Sequence, residues 1–124
     1  MAGAAIITRD ALDFMLHAAR NTYPEEFAGL LRKNSKGEVS EVLVIPQTVY
    51  GEGHSSINLY NVPYTSGHCG SVHSHTTRDA RPSRADLAFF KATGETHIII
   101  AYPFTPQAVR AYDPEGKGIA IKIV

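Results

Sequence analysis

Charge of one sign is the first thing this chain lacks. Its 124 residues carry 12 basic and 12 acidic side chains, and no basic run is longer than Arg32-Lys33. Nucleic-acid binding rests on clustered Lys and Arg that neutralise phosphates, so no nucleic acid is expected as a partner. Long apolar runs are missing too. A membrane-spanning helix needs about 18 or more consecutive apolar residues, and no segment approaches that. Arg9, Asp10 and Asp13 interrupt the apolar start of the chain. Neither export nor a membrane partner is therefore expected. Cysteine is almost absent: Cys69 stands alone and cannot close an internal disulfide. That fits a reducing, cytoplasmic setting. There is no internal repeat and no low-complexity tract.

What remains is an ordinary globular composition, 44% hydrophobic and 19% charged. The length suits one domain over residues 1–124 with a single core. Ala4 to Ile7 reads as a short strand at a sheet edge. Thr8 then caps a helix, with Asp10 in the first turn, where the helix dipole favours an acid. Leu12, Met15, Leu16 and Ala19 recur at i, i+3, i+4 and i+7, one apolar stripe, and Asn21 and Pro24 end the helix. Phe27 to Leu31 reads as a buried strand, and Asn34 to Gly37 as a turn. Val39 to Pro46 is a strand whose run Val42 to Ile45 is continuous enough for burial on both faces. Residues 47–67, rich in Gly and Ser, carry at most one short strand near Ile57 to Tyr60. Arg84 to Ala92 is a second helix, closed by Gly94. Thr96 to Tyr102 is the most β-prone run and is predicted as a central strand. Gln107 to Tyr112 follows, alternating Val109 and Ala111 against Arg110 and Tyr112. A turn at Asp113 to Gly116 leads to a last strand, Ile119 to Val124. Strands outnumber helices about three to one, and both helices must cover one sheet, which is an α+β sandwich.

The chemistry concentrates between Gly70 and Leu87. His73 and His75 are two apart at the end of a strand, so both imidazoles point to one face. Beyond a loop containing Pro82 comes Ser83-Arg84-Ala85-Asp86, a helix-start pattern that puts Asp86 in the first turn. Ser83 with Asp86 is, taken alone, more often a cap than a site, by about three to one. The joint spacing His-x-His-x7-Ser-x2-Asp is expected by chance roughly once in 1,500 sequences of this composition. Two neutral imidazoles and a carboxylate make a three-ligand set for zinc, with a fourth position open to water.

The same residues carry a resemblance. Gly70-x-x-His73-Ser74-His75, seven residues, then Ser83-x-x-Asp86-Leu87 resembles the signature of the JAMM (MPN+) zinc metalloproteases, which include deubiquitinating isopeptidases and small prokaryotic relatives. Glu26-Phe27-Ala28-Gly29-Leu30-Leu31 is similar to the family's upstream Glu-x-x-Gly-x-Leu. The family usually has proline after the second histidine, and here Thr76 stands there. The resemblance implies a curved mixed β-sheet flanked by helices, the cytidine-deaminase-like MPN sandwich. It implies one Zn2+ per chain on His73, His75 and Asp86, with Glu26 as general base and Ser83 helping to stabilise the oxyanion. It also implies a partner: a ubiquitin-like or sulfur-carrier protein with a flexible C-terminal Gly-Gly tail. That tail would add as a strand near Thr76 to Arg81 or Gln47 to Gly67.

Three other zinc hydrolases fail on these residues. A metallo-β-lactamase-like site needs Asp-His where Thr77 and Arg78 stand. An amidohydrolase barrel needs about 250 residues. A deaminase site needs a Cys-x-x-Cys pair, and there is one cysteine. Another class remains: a metal-free MPN-type scaffold that only binds partners, although such relatives usually lose ligands. His17, His54, His68 and His97 are assigned to no metal.

Overall fold

The structure, a computed structural model, describes residues 3–45 and 69–124. The strands are β1 (Ala5–Ile7), β2 (Ala28–Lys33), β3 (Val39–Val44), β4 (Gly70–His75), β5 (Thr96–Ala101), β6 (Val109–Tyr112), β7 (Gly118–Ile119) and β8 (Ile121–Ile123). Two α-helices accompany them among the described residues, α1 (Arg9–Thr22) and α2 (Arg84–Thr93). Among the described residues the strands form one sheet in the order β7-β6-β5-β4-β2-β3-β1-β8. It is mixed: β1 runs parallel to β3 and β8, and β4 parallel to β5, while the other pairs are antiparallel. The two outermost strands, β7 and β8, are separated in sequence by Ala120 alone. One chain segment thus closes both ends of the sheet, which must curl until its edges nearly meet. This is the curved mixed sheet flanked by helices that the resemblance implied, and it agrees with the α+β reading.

α1 starts where Thr8 Oγ1 accepts from the Ala11 amide at 3.2 Å. It buries Ala11, Leu12, Met15, Leu16 and Ala19. A helix of this length is marginal alone in water. Burying Leu12, Met15 and Leu16 at about 1.5–3 kcal/mol each outweighs that deficit. The stripe meets Ile7, Leu31, Val39, Val72, Ile98 and Ile100 on one face of the sheet. On the opposite face, Phe89 of α2 joins Ala28, Leu30 and Ile45, and Phe90 joins Ile99 and Tyr112. All six residues of β5 are buried, so the predicted central strand lies between two covered faces. At the start of β4 the neighbouring strand comes very close: a Cβ on Gly70 would lie 1.6 Å from the Thr96 carbonyl oxygen.

Several local expectations are corrected. β1 is not an edge strand, because the C-terminus returns beside it: the Ala5 amide donates to Ala120 O at 2.8 Å and the Val124 amide to Ile7 O at 3.0 Å. The expected last strand splits at Ala120, one part pairing with β6 and the other with β1. β6 begins only at Val109, because Pro106–Ala108 is a short 3-10 turn. The run in β3 is not buried on both faces. Val42 and Leu43 turn to opposite clusters, whereas Val44 is 50% exposed. Its cross-strand neighbour is Gly29, which has no side chain to cover it. The expected short strand near Ile57 lies outside the described residues. Thr76 to Arg81 forms a loop rather than a strand.

Candidate metal centre

β4 and the first turn of α2 build the centre. The pleat of β4 sends Ser71, His73 and His75 to the α2 side of the sheet, and Val72 and Ser74 to the α1 side. His73 is buried and His75 half-buried. At the start of α2, Ser83 Oγ accepts from the Asp86 amide at 3.1 Å, and Asp86 Oδ2 accepts from the Ser83 amide at 2.8 Å. This reciprocal capping box fixes the Asp86 carboxylate over the histidines.

The three donor groups converge. His73 Nε2 and His75 Nε2 are 3.1 Å apart. Asp86 Oδ1 lies 3.2 Å from His73 Nε2, and Oδ2 lies 3.2 Å from His75 Nε2. Tetrahedral zinc with bonds of about 2.0–2.1 Å separates its ligand atoms by about 3.3 Å. The two imidazole nitrogens stand near that distance, and one ligand atom from each of the three residues lies within 4.8 Å of the other two, so the set fits this ion. No other cluster of three metal-ligating side chains occurs among the described residues.

The surroundings prepare one histidine for a metal. His75 Nδ1 is 2.8 Å from the Asp79 carbonyl oxygen. A carbonyl only accepts, so Nδ1 carries the proton and Nε2 keeps its lone pair. The buried His73 Nδ1 has no such partner among the described residues. Burial opposes charge on Asp86, but hydrogen bonds from His73, His75 and the Ser83 amide outweigh it and hold the carboxyl well below the usual carboxylate range. Burial also opposes charge on His75, yet Asp86 and the Asp79 carbonyl prevail and raise its pKa.

Glu26 precedes β2. Ala28 pairs with His73, so continuing the antiparallel register places Glu26 opposite His75 and on the same face. Burial raises its pKa, and the charges of His73 and His75 draw it back. Ser74 secures that approach. Its amide donates to Phe27 O at 2.9 Å, and its hydroxyl accepts from the Phe27 amide at 2.7 Å. The sequence marks Ser74 only as a packing residue, although its place between two aligned histidines requires it to face the other way. Asp79 acts through its backbone, which no side-chain pattern could reveal. Ser83 caps the helix through its hydroxyl oxygen, and its O–H hydrogen has no acceptor among the described residues.

The other described histidines, His17 and His97, stand apart. His97 is fully buried, with Nδ1 2.8 Å from Ser71 Oγ and Nε2 2.8 Å from Gly94 O. Its ring stacks on Phe90 at 4.2 Å. His17 is exposed on α1, and His54 and His68 lie outside the described residues.

Two strand histidines and a helix-capping aspartate on a curled mixed sheet define a zinc centre of the metallohydrolase type. Residues 8–114 match Prok-JAB, the prokaryotic homologs of the JAB domain, and the chain belongs to that family. A probable metalloprotease of Haloferax volcanii is 38% identical over 120 residues, covering 90% of this chain and 74% of that protein. A JAB1/MPN domain protein from Archaeoglobus fulgidus superimposes with a TM-score of 0.76 at 29% identity, over 95% of this chain and 97% of that one. A structure of JAMM, described as a metalloprotease-like zinc site in the proteasome and signalosome, gives 0.75 at 29% identity over 98% of each chain.

Proposed function

We propose that this protein is a zinc metallo-isopeptidase or peptidase of the cytoplasm. It would cleave the bond after the C-terminal Gly-Gly tail of a ubiquitin-like modifier or sulfur-carrier protein. The observation that carries the hydrolase reading is the convergence of His73, His75 and Asp86, whose ligand atoms all lie within 4.8 Å of one another on rigid elements. The Gly-Gly tail rests on the family resemblance.

Zinc held by these residues would supply a Lewis acid and lower the pKa of a bound water from 15.7 to about 7. Glu26 takes the proton from the attacking water and returns it to the leaving amine. Burial suits it to the task, because a carboxyl with a raised pKa is a stronger base than an exposed one. Ser83 Oγ is engaged as an acceptor, which leaves its O–H hydrogen to donate to the oxyanion. Removing one such donor costs about 2.7–4 kcal/mol in the transition state. His75 keeps its orientation through the Asp79 carbonyl.

Glu26→Gln tests this. Glutamine keeps the size of glutamate but cannot take a proton at neutral pH. Zinc content and stability should hold to within about 1 kcal/mol. Cleavage of a Gly-Gly fusion should fall at least about a hundredfold, with Glu25→Gln near parental. Parental turnover in Glu26→Gln would remove it as the base. Loss of zinc would make Glu26 a ligand or a ligand support.

A further inference from the structure

We propose that Arg78 and Arg110 form a subsite that holds an acidic side chain of the substrate within about three residues of the scissile bond. The proposal rests on the reading of the zinc centre as a peptidase site.

A groove of about 360 Å³ opens beside the centre, lined by Arg78, Ala101, Tyr102, Pro103 and Arg110 among others. The sheet register ties it to the metal ligands. His73 pairs with Ile99 and Ile99 with Arg110, so the three lie in one row across β4, β5 and β6. Paired residues share a face, which puts Arg110 on the side of the sheet that carries the centre. Adjacent strands are about 4.8 Å apart, so Arg110 stands about 10 Å from His73 at the backbone. Ala101, in the groove wall, pairs directly with His75. Arg78 comes from the loop whose Asp79 carbonyl holds the His75 ring. An extended peptide rises about 3.3 Å per residue, so a chain crossing the metal reaches the groove in about three residues.

The chemistry of the lining is one-sided. Among the described residues no acidic side chain lines this groove. The nearby Asp79 is turned away, held by Arg81 through bonds of 3.0 and 2.9 Å. Neither Arg78 nor Arg110 has a carboxylate partner among the described residues. Each is nevertheless held in place. The Arg78 guanidinium lies over the Tyr102 ring at 5.4 Å from its centroid. Arg110 Nη1 donates to Gln107 O at 2.8 Å and Val109 O at 2.9 Å, leaving Nε and Nη2 for another acceptor. Two fixed, unneutralised forks facing one groove select a carboxylate, which such forks bind bidentately.

The test uses fluorescein-labelled peptides containing Gly-Gly, acetylated and amidated so that no terminal carboxylate is present. Glutamate or lysine is placed at each of three positions on either side of the Gly-Gly junction. Affinity is measured by anisotropy on the zinc-loaded chain carrying Glu26→Gln, and hydrolysis on the zinc-loaded parent. Glutamate should bind at least about tenfold tighter than lysine at one or more positions. The preference should vanish in Arg78→Ala/Arg110→Ala, reverse in Arg78→Glu/Arg110→Glu, and persist in Arg78→Lys/Arg110→Lys. Equal affinities everywhere, or no binding at all, overturn the subsite. So does an acid preference that survives the double alanine change, because the carboxylate then sits on the zinc. An arginine-dependent preference without hydrolysis by the parent sustains the subsite and overturns the peptidase reading.

Discussion

Ser74→Ala is the substitution that separates placing the proposed general base, Glu26, from holding the metal. Ser74 and Phe27 are both buried, and the Ser74 hydroxyl is the acceptor for the Phe27 amide at 2.7 Å. Alanine removes that acceptor and leaves a buried N–H unsatisfied, which costs about 1–3 kcal/mol. For a chain of this size that is a fall in Tm of about 4–12 °C. The second strut, the Ser74 amide to Phe27 O, survives because it is backbone. β2 therefore stays paired to β4, while Phe27, next to Glu26, loses one of its two hydrogen bonds to Ser74. The ligands His73 and His75 face the other side of β4, so zinc content should remain that of the parent. A misplacement of about 1 Å at a reacting group can cost about 100-fold. The expected signature is a kcat lowered about 10- to 100-fold, KM little changed, and zinc unchanged. Calorimetry, zinc analysis and steady-state kinetics on one preparation read all three. A Ser74→Ala protein with parental Tm and parental kcat would show that Phe27 has another acceptor and that this tie does not position Glu26.

His75→Ala should empty the centre, whereas His54→Ala, His68→Ala and His97→Gln should each keep about one zinc per chain by elemental analysis. Gly70→Ala drives a Cβ into the backbone oxygen of Thr96, which cannot swing aside, and should lower the urea midpoint by the equivalent of at least about 3 kcal/mol. Gly118→Ala, with nothing within 4 Å of the added atom, should stay within about 0.5 kcal/mol. Burial holds the pKa of His97 below its usual value. The unfolded chain takes up this proton below pH of about 6.5 while the folded chain does not, so stability falls as pH drops from about 6.5. Urea unfolding of the zinc-loaded chain between pH 7 and 5 should show that loss, and His97→Gln should have the shallower slope.

The legible parts of the fold were those decided by neighbours in sequence. Thr8, Asp10 and the Leu12-Met15-Leu16-Ala19 stripe specify α1 without reference to anything distant, and the helix starts and ends where they indicate. The β-branched run in Thr96 to Tyr102 likewise announced a central strand, and all six residues of β5 are buried. What escaped was decided by partners far along the chain. The short β1 looked like an edge because nothing local shows that Ile121–Ile123 returns beside it. The break at Ala120 follows from curvature, since a continuous strand could not serve both rims of one curled sheet. Val44 is exposed because register, invisible in sequence, sets it against Gly29.

The Ser83-x-x-Asp86 pattern posed a choice between a helix cap and a metal site, and the structure shows why the choice was false. One oxygen of Asp86 serves both purposes: Oδ2 accepts from the Ser83 amide at 2.8 Å and stands 3.2 Å from His75 Nε2. The other, Oδ1, stands 3.2 Å from His73 Nε2. A carboxylate on an unconstrained side chain would lose rotamer freedom on meeting two imidazoles. Here the backbone amide at the helix start has already fixed its position. The positive end of α2 also favours its charge, so the ionised ligand is stabilised by the same turn that aims it. The cap is therefore the means by which this helix delivers a buried, ionised ligand to a strand, and in this chain the spacing that marks the cap also marks the ligand.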